Sequence, residues 1–176
     1  PILAGGIMAW QGGLVADDPQ VQLFENQPLE IMLKIAMNLE KGAMRFYEAV
    51  AGQYAANDWS KLFDRLSRAE IAHARSIHTI LRQTAPVHAD FESEFDQLSG
   101  EILEGGMSLD LALQKMESLQ ARACMRLIEL ALQIERTAFD LYRNLAGQAS
   151  DDAVRDVFLS LAQAEKGHMQ QLIDHI

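Results

Sequence analysis

Shifted by 95 positions, residues 35–80 align on residues 130–175 without a gap. Twelve positions are identical, and they include Glu40/Glu135, Tyr47/Tyr142, Glu70/Glu165 and His73/His168. Many other pairs exchange one apolar residue for another, such as Leu39 with Ile134. Shared apolar periodicity would explain the aliphatic matches between any two amphipathic helices. It would not bring two Glu, one Tyr and one His into register together. The chain therefore reads as one structural unit duplicated, and each copy reads as a helical hairpin.

The period inside the repeat is helical. Helices are expected near 28–55, 57–83, 108–148 (with a break near Gln120) and 151–175, with Asn57, Ser108 and Ser150 as N-caps. Four prolines occur, at positions 1, 19, 28 and 86, and none interrupts these segments. Residues 84–107 link the hairpins and contain a short amphipathic stretch, Phe91–Leu103, ended by Gly105-Gly106. Antiparallel neighbours need only a short loop. A longer link suits a crossover running the length of a four-helix bundle. The fold class expected is all-α.

Helical geometry then places the polar residues. Glu40 shares its face with Leu33, Ala36, Met37, Ala43, Met44 and Tyr47. Glu135 shares its face with Ile128, Ala131, Leu132, Ala138, Phe139 and Tyr142. Glu70 falls with Phe63, Leu66, His73, Ala74 and Ile77, and Glu165 with Phe158, Leu161, Ala162, His168, Met169 and Leu172. These stripes must point inward. Four carboxylates in one apolar core are prohibitive without compensation, because each costs several kcal/mol. The same faces hold no Lys or Arg. Two divalent cations would balance four carboxylates and two neutral imidazoles to zero. Each Glu-x-x-His pair lies on one helix face, and each follows an inward Glu by 30 residues. That is the ligand pattern of di-iron carboxylate bundles. The metal ligands expected are Glu40, Glu70, His73, Glu135, Glu165 and His168, around two ions about 4 Å apart. Oxygen and nitrogen donors without thiolate suit iron or manganese, with zinc possible. The duplication predicts nearly the same ligand set for each ion.

Other conspicuous residues have plainer readings. Cys124 lies eleven residues before Glu135, about 16 Å along a helix, and reads as a small buried hydrophobe. His175 reads as a last-turn surface residue suited to the helix dipole. His78 and His88 have no His counterpart in the repeat and read as surface residues; Trp59 reads as packing. Tyr47 and Tyr142 each follow a ligand Glu by seven residues, so each can hydrogen-bond a carboxylate across the bundle. Core packing and a redox role are both open to them.

The segments LEKGAMRFY, AEIAH, IERTAFDLY and AEKGH resemble the rubrerythrin branch of the ferritin-like superfamily, over about Pro28 to His175. The resemblance implies a ferritin-like bundle with two iron ions at these Glu and Glu-x-x-His positions. It also implies reduction of hydrogen peroxide, or oxidation of ferrous iron by peroxide or oxygen. Two features depart from the family. Rubrerythrins usually add a carboxylate one turn beyond the third-helix Glu, where this chain has Ala138 (Ala43 in the other half). They often carry a four-Cys rubredoxin domain, and this chain has one Cys. A second resemblance covers residues 1–24 alone. There Leu3-Ala4-Gly5-Gly6-Ile7-Met8-Ala9-Trp10 with Gly12-Gly13 is similar to the closing segment of a rhodanese domain. Residues 25–176 then form the metal-binding domain. A rhodanese nucleophile lies upstream of such a segment, and Cys124 lies downstream, so no sulfur transfer is expected.

Composition excludes some functions. A formal charge of −10 with no basic cluster argues against a nucleic-acid surface. That charge suits simple solubility, or carboxylates that balance a bound cation. No apolar run approaches the eighteen or so residues of a membrane span. No signal-peptide pattern opens the chain, and one Cys allows no intramolecular disulfide. A cytoplasmic protein is expected, as a homodimer. The leading function is a di-iron oxidoreductase acting on peroxide or oxygen with a separate electron donor. The alternatives are iron handling through ferrous oxidation, and a non-catalytic metal-binding module attached to a rhodanese.

Overall fold

The computed structural model describes residues 23–24, 27–84, 89–104, 106–119 and 123–176. Residues 1–22, which hold most of the stretch expected to resemble the end of a rhodanese domain, and His88 lie outside them. Six helices occur among the described residues: α1 (Leu29–Gln53), α2 (Ser60–Thr84), α3 (Phe91–Gln97), α4 (Leu109–Glu117), α5 (Ala123–Gln148) and α6 (Asp152–Ile173). The all-α expectation holds. None of these helices is long and apolar enough to cross a membrane.

The hairpins α1–α2 and α5–α6 follow the repeat. Several boundaries move for local reasons. Ser108 caps α4 by accepting from the Leu111 amide. At α6 the cap is Asp151, not Ser150; its carboxylate accepts from the Ala153 and Val154 amides, which a charged oxygen at a helix N-terminus does well. Asn57 does not cap α2. It sits in the turn before it, its side chain donating to Tyr54 O, and the helix starts at Ser60. The third predicted helix is two helices, α4 and α5. The amphipathic stretch from Phe91 is helical only to Gln97.

Two apolar clusters make up the core, and together they report chain direction. The first takes Leu33, Ala36 and Met37 from α1, Ile77 and Leu81 from α2, Tyr142 and Leu145 from α5, and Phe158 and Leu161 from α6. The second takes Phe46, Tyr47 and Val50 from α1, Leu62, Phe63 and Leu66 from α2, Leu127 and Ile134 from α5, and Leu172 from α6. So α1 and α6 run from the first cluster to the second, while α2 and α5 run back. Because α2 and α5 are parallel, the chain must recross the bundle between them. Phe91, Phe95, Leu98 and Ile102 pack on the first cluster, whereas Leu103, Leu109, Ala112 and Met116 belong to the second. Residues 89–119 are that crossover.

α3 also corrects one expectation. His78 is buried, not on the surface. The Phe91 ring meets its imidazole edge-on, and its Nε2 lies 3.2 Å from Ala89 O and 3.3 Å from a Glu94 carboxylate oxygen. His78 stands one turn from the fully buried Ala74, and the crossover packs over it.

Candidate metal centre

Between the two apolar clusters lies a polar layer. Glu40, Glu70, Glu135 and Glu165 are each at most 1 % exposed, and His73 and His168 are buried with them. Each long helix supplies this layer at mid-length, because the hairpin repeat sets the inward Glu opposite its Glu-x-x-His partner. All six residues expected from the sequence converge here.

The convergence is paired. Glu70 turns Oε2 to 2.9 Å from His73 Nδ1 and Oε1 to 3.6 Å from His168 Nδ1. Glu165 does likewise, with Oε1 3.0 Å from His73 Nδ1 and Oε2 3.1 Å from His168 Nδ1. Each Glu-x-x-His carboxylate thus lies between both imidazoles. Glu40 faces one of them, with Oε2 3.4 Å from His73 Nδ1. Glu135 faces the other, with Oε2 3.0 Å from His168 Nδ1. The two rings stack at 5.1 Å between centroids.

The outer oxygens of Glu40 and Glu135 are held crosswise. The Tyr47 hydroxyl donates to Glu135 Oε1 at 2.5 Å, and the Tyr142 hydroxyl donates to Glu40 Oε1. Each tyrosine thus orients a carboxylate of the opposite hairpin, as its spacing suggested. Both rings are fully buried among core side chains. Packing and hydrogen bonding go together here.

One further acid reaches the layer. Glu104, in the crossover, is 2 % exposed, and its carboxylate groups with those of Glu40 and Glu70, their oxygens within 4.8 Å of one another. It has no counterpart in the repeat. The acids of the layer are therefore not a matched set, since Glu104 adds one beside Glu40 and Glu70. No helical period marks Glu104. Its trace in the sequence lies in the mismatches of the repeat: Gly42 against Thr137 and Arg45 against Asp140 fall where the crossover lies on α1.

Several of these atoms make no hydrogen bond. Glu40 Oε2, Glu70 Oε2, Glu104 Oε1, Glu165 Oε1 and His73 Nδ1 are buried without one. Buried polar atoms rarely go unsatisfied, and an unpaired one costs about 1–3 kcal/mol. Lone pairs that converge on a common space, from oxygen and imidazole donors only, fit divalent iron or manganese. Among the described residues, no Lys or Arg forms an ion pair with these carboxylates.

The titration of the layer tells the same story. Burial raises Glu70 and Glu104 well above the usual carboxylate range, and neighbouring carboxylates add to it. Burial also pushes Glu135 up to about 8, against the help of His168. Glu165 is held low despite burial, by its hydrogen bond with His168 and by the charge of the adjacent His73. Burial alone would lower His168, but its hydrogen bonds with Glu135 and Glu165 carry it to about 11; His73 is raised by the same kind of surroundings. Without metal, imidazolium charges and retained protons do the neutralising that cations would otherwise do.

The other conspicuous residues stand apart. Cys124 is partly buried against the second cluster and its thiol is raised by burial. His175 is exposed in the last turn, Nδ1 2.9 Å from Gln171 O. Trp59 packs on Tyr54 and Phe63.

Against known families, the model for rubrerythrin matches residues 25–119, more than half the chain. The chain belongs to the rubrerythrin family. The matched span holds the first hairpin and the crossover, and so Glu40, Glu70, His73 and Glu104. The second hairpin, with Glu135, Glu165 and His168, lies beyond the matched rubrerythrin span and is tied to it by the internal repeat. No curated protein and no solved structure matches the chain.

Proposed function

We propose that the chain is a non-haem di-iron oxidoreductase that reduces peroxide or oxygen at Glu40, Glu70, His73, Glu135, Glu165 and His168. The observation that carries this reading is the pairing described above. Glu70 and Glu165 each offer one oxygen toward each imidazole, which suits a two-ion site that both carboxylates would help to hold. Glu40 with His73, and Glu135 with His168, would hold the ions together with them.

Bound iron would supply two one-electron donors that, with two protons, reduce hydrogen peroxide to two waters. The protein's own contribution is positional. Tyr47 and Tyr142 fix the outer oxygens of Glu135 and Glu40, so that the inner oxygens stay aimed at the ions. The apolar clusters above and below exclude bulk water, which strengthens every charge interaction in the layer. Tyr47 and Tyr142 stay protonated there, since burial and the adjacent carboxylates raise both hydroxyls well above the usual phenol range. They serve as hydrogen-bond donors, not as anions. With one cysteine, residues 1–176 hold no four-thiolate redox centre, so the reducing electrons come from outside them.

Stopped-flow mixing of the anaerobic, ferrous-loaded protein with peroxide and, separately, with oxygen tests this reading. One peroxide should be consumed per two irons, faster than oxygen is. Loaded protein that neither oxidant changes would leave a binding module. Faster reaction with oxygen, in a large closed shell measured by light scattering, would favour iron storage instead.

A further inference from the structure

We propose that Glu104 is a further carboxylate of the metal centre, supplied by the crossover to the Glu40–His73 side alone, so that the two metal positions are chemically unequal. The proposal rests on the reading of the polar layer as a two-metal site.

The first observation is where Glu104 lies along the bundle. Ile102 packs on the first apolar cluster and Leu103 is buried in the second. The next residue therefore sits at the level where the clusters part, which is the level of the six Glu and His side chains. Its Oε1 is buried there without a hydrogen bond. Its neighbours are the carboxylates of Glu40 and Glu70, and among the described residues no Lys or Arg forms an ion pair with it. An acid placed this way would carry a large desolvation cost in a purely structural role.

The second observation is that the crossover is built to hold it there. Lys41 donates to Phe95 O at 2.6 Å and to Asp96 O at 3.2 Å, and Arg45 donates to Ser99 O at 2.6 Å. Asn38 accepts the Gly100 amide at 2.9 Å, and Gly100 takes φ +58°, a conformation that favours glycine. Gly42 lets the strand of chain settle onto α1: a Cβ there would stand 2.1 Å from Ile102 O. The Leu103 amide bonds Met107 O at 2.9 Å, closing the loop that carries Glu104. The matching helix α5 has Thr137 and Asp140 at the positions of Gly42 and Arg45, and no segment with an acid of this kind comes to the Glu135 side among the described residues.

Charge gives the consequence. Four carboxylates balance two divalent ions, and a fifth adds one negative charge. That excess favours the more positive, oxidised pair, so Glu104 should lower the reduction potential of the centre.

The test uses the full chain, stripped of metal and titrated with cobalt(II) by calorimetry and visible absorption. The wild type should bind two ions with two distinct affinities. Glu104→Gln should weaken one of them about tenfold or more and leave the other unchanged. Glu104→Asp, which keeps the charge but shortens the reach, should weaken the same ion, and the exposed neighbour Glu101→Gln should weaken neither. In iron-loaded protein Glu104→Gln should move the midpoint potential positive. In chelator the Gln variant should melt no lower than the wild type, since a structural acid would show there. Two ions bound identically by wild type and both Glu104 variants would overturn the role of Glu104 while leaving the two-metal site standing. Wild-type protein that binds no cobalt would overturn both.

Discussion

Tyr47 and Glu135 lie 88 residues apart in the chain and 2.5 Å apart in the fold, the hydroxyl of one hairpin holding the carboxylate of the other. Tyr142 returns the bond to Glu40. The two hairpins are thus joined through the residues that would carry metal, so docking of the hairpins and shaping of the site are one event. Tyr47→Phe removes this donor and leaves Glu135 Oε1 buried without one. We expect a loss of about 1–3 kcal/mol in metal-free stability and metal binding weakened about 10–100-fold. Urea unfolding in chelator and a cobalt titration measure the two effects. A variant that binds metal as tightly as the wild type would remove the tyrosine from the site.

The paired Glu-x-x-His carboxylates invite a different test. Replacing Glu70 and Glu165 together with Gln keeps shape and removes two charges from the core. Tight binding of both ions should be lost, while the metal-free bundle becomes no less stable. Thermal unfolding with chelator and with anaerobic ferrous iron reads both. Iron should raise the wild-type midpoint clearly and that of the double variant little. Equal gains would show that these glutamates are not ligands.

Metal-free protein should lose stability as pH rises. Glu135, pushed up to about 8 when folded, keeps a proton that the unfolded chain releases near 4.3. Its contribution is complete at low pH and disappears as pH rises through about 8. His168, raised to about 11, keeps a proton that the unfolded chain releases near 6.5, and its contribution is lost as pH approaches 11. Glu165, held low, changes nothing in this range. Each extra proton held by the folded state lowers stability by about 1.4 kcal/mol per pH unit. Urea midpoints in chelator at about pH 6, 7.5 and 9 should fall in that order. Saturating metal should flatten or reverse the trend, because bound ions displace those protons. A rise of the metal-free midpoint with pH would contradict the proton sharing described for the layer.

Gly42→Ala probes the crossover. The added methyl would meet the Ile102 carbonyl at 2.1 Å, so the backbone on one side must shift. We expect a loss of about 1–3 kcal/mol, typical of overpacking, together with weakening of the one metal ion that Glu104 serves. The mirror change, Thr137→Ala on α5, where no crossover presses, should weaken neither ion. Calorimetric titration of the two variants with cobalt(II) makes the comparison. Equal effects would remove the asymmetry between the two metal positions.

The sequence by itself determined the bundle and six residues of its polar layer. Helical periodicity turns sequence spacing into direction, so an inward Glu and a Glu-x-x-His pair 30 residues on must meet once the hairpin closes. Duplication then repeats the result, and Tyr47 and Tyr142 followed from the same spacing. What tertiary structure alone decided lies in the crossover and beneath it. Glu104 sits in irregular backbone, where no period says which way a side chain points. Its direction comes from contacts between the crossover and α1 that span 54 to 62 residues of chain. His78 shows the same limit from the other side. The repeat, which has no His at the matching position, said nothing of its burial, and it is Phe91 and Ala89 of the crossover that pack over it. Local periodicity reports the faces of a helix; which segment comes to cover a face depends on contacts that no local pattern encodes.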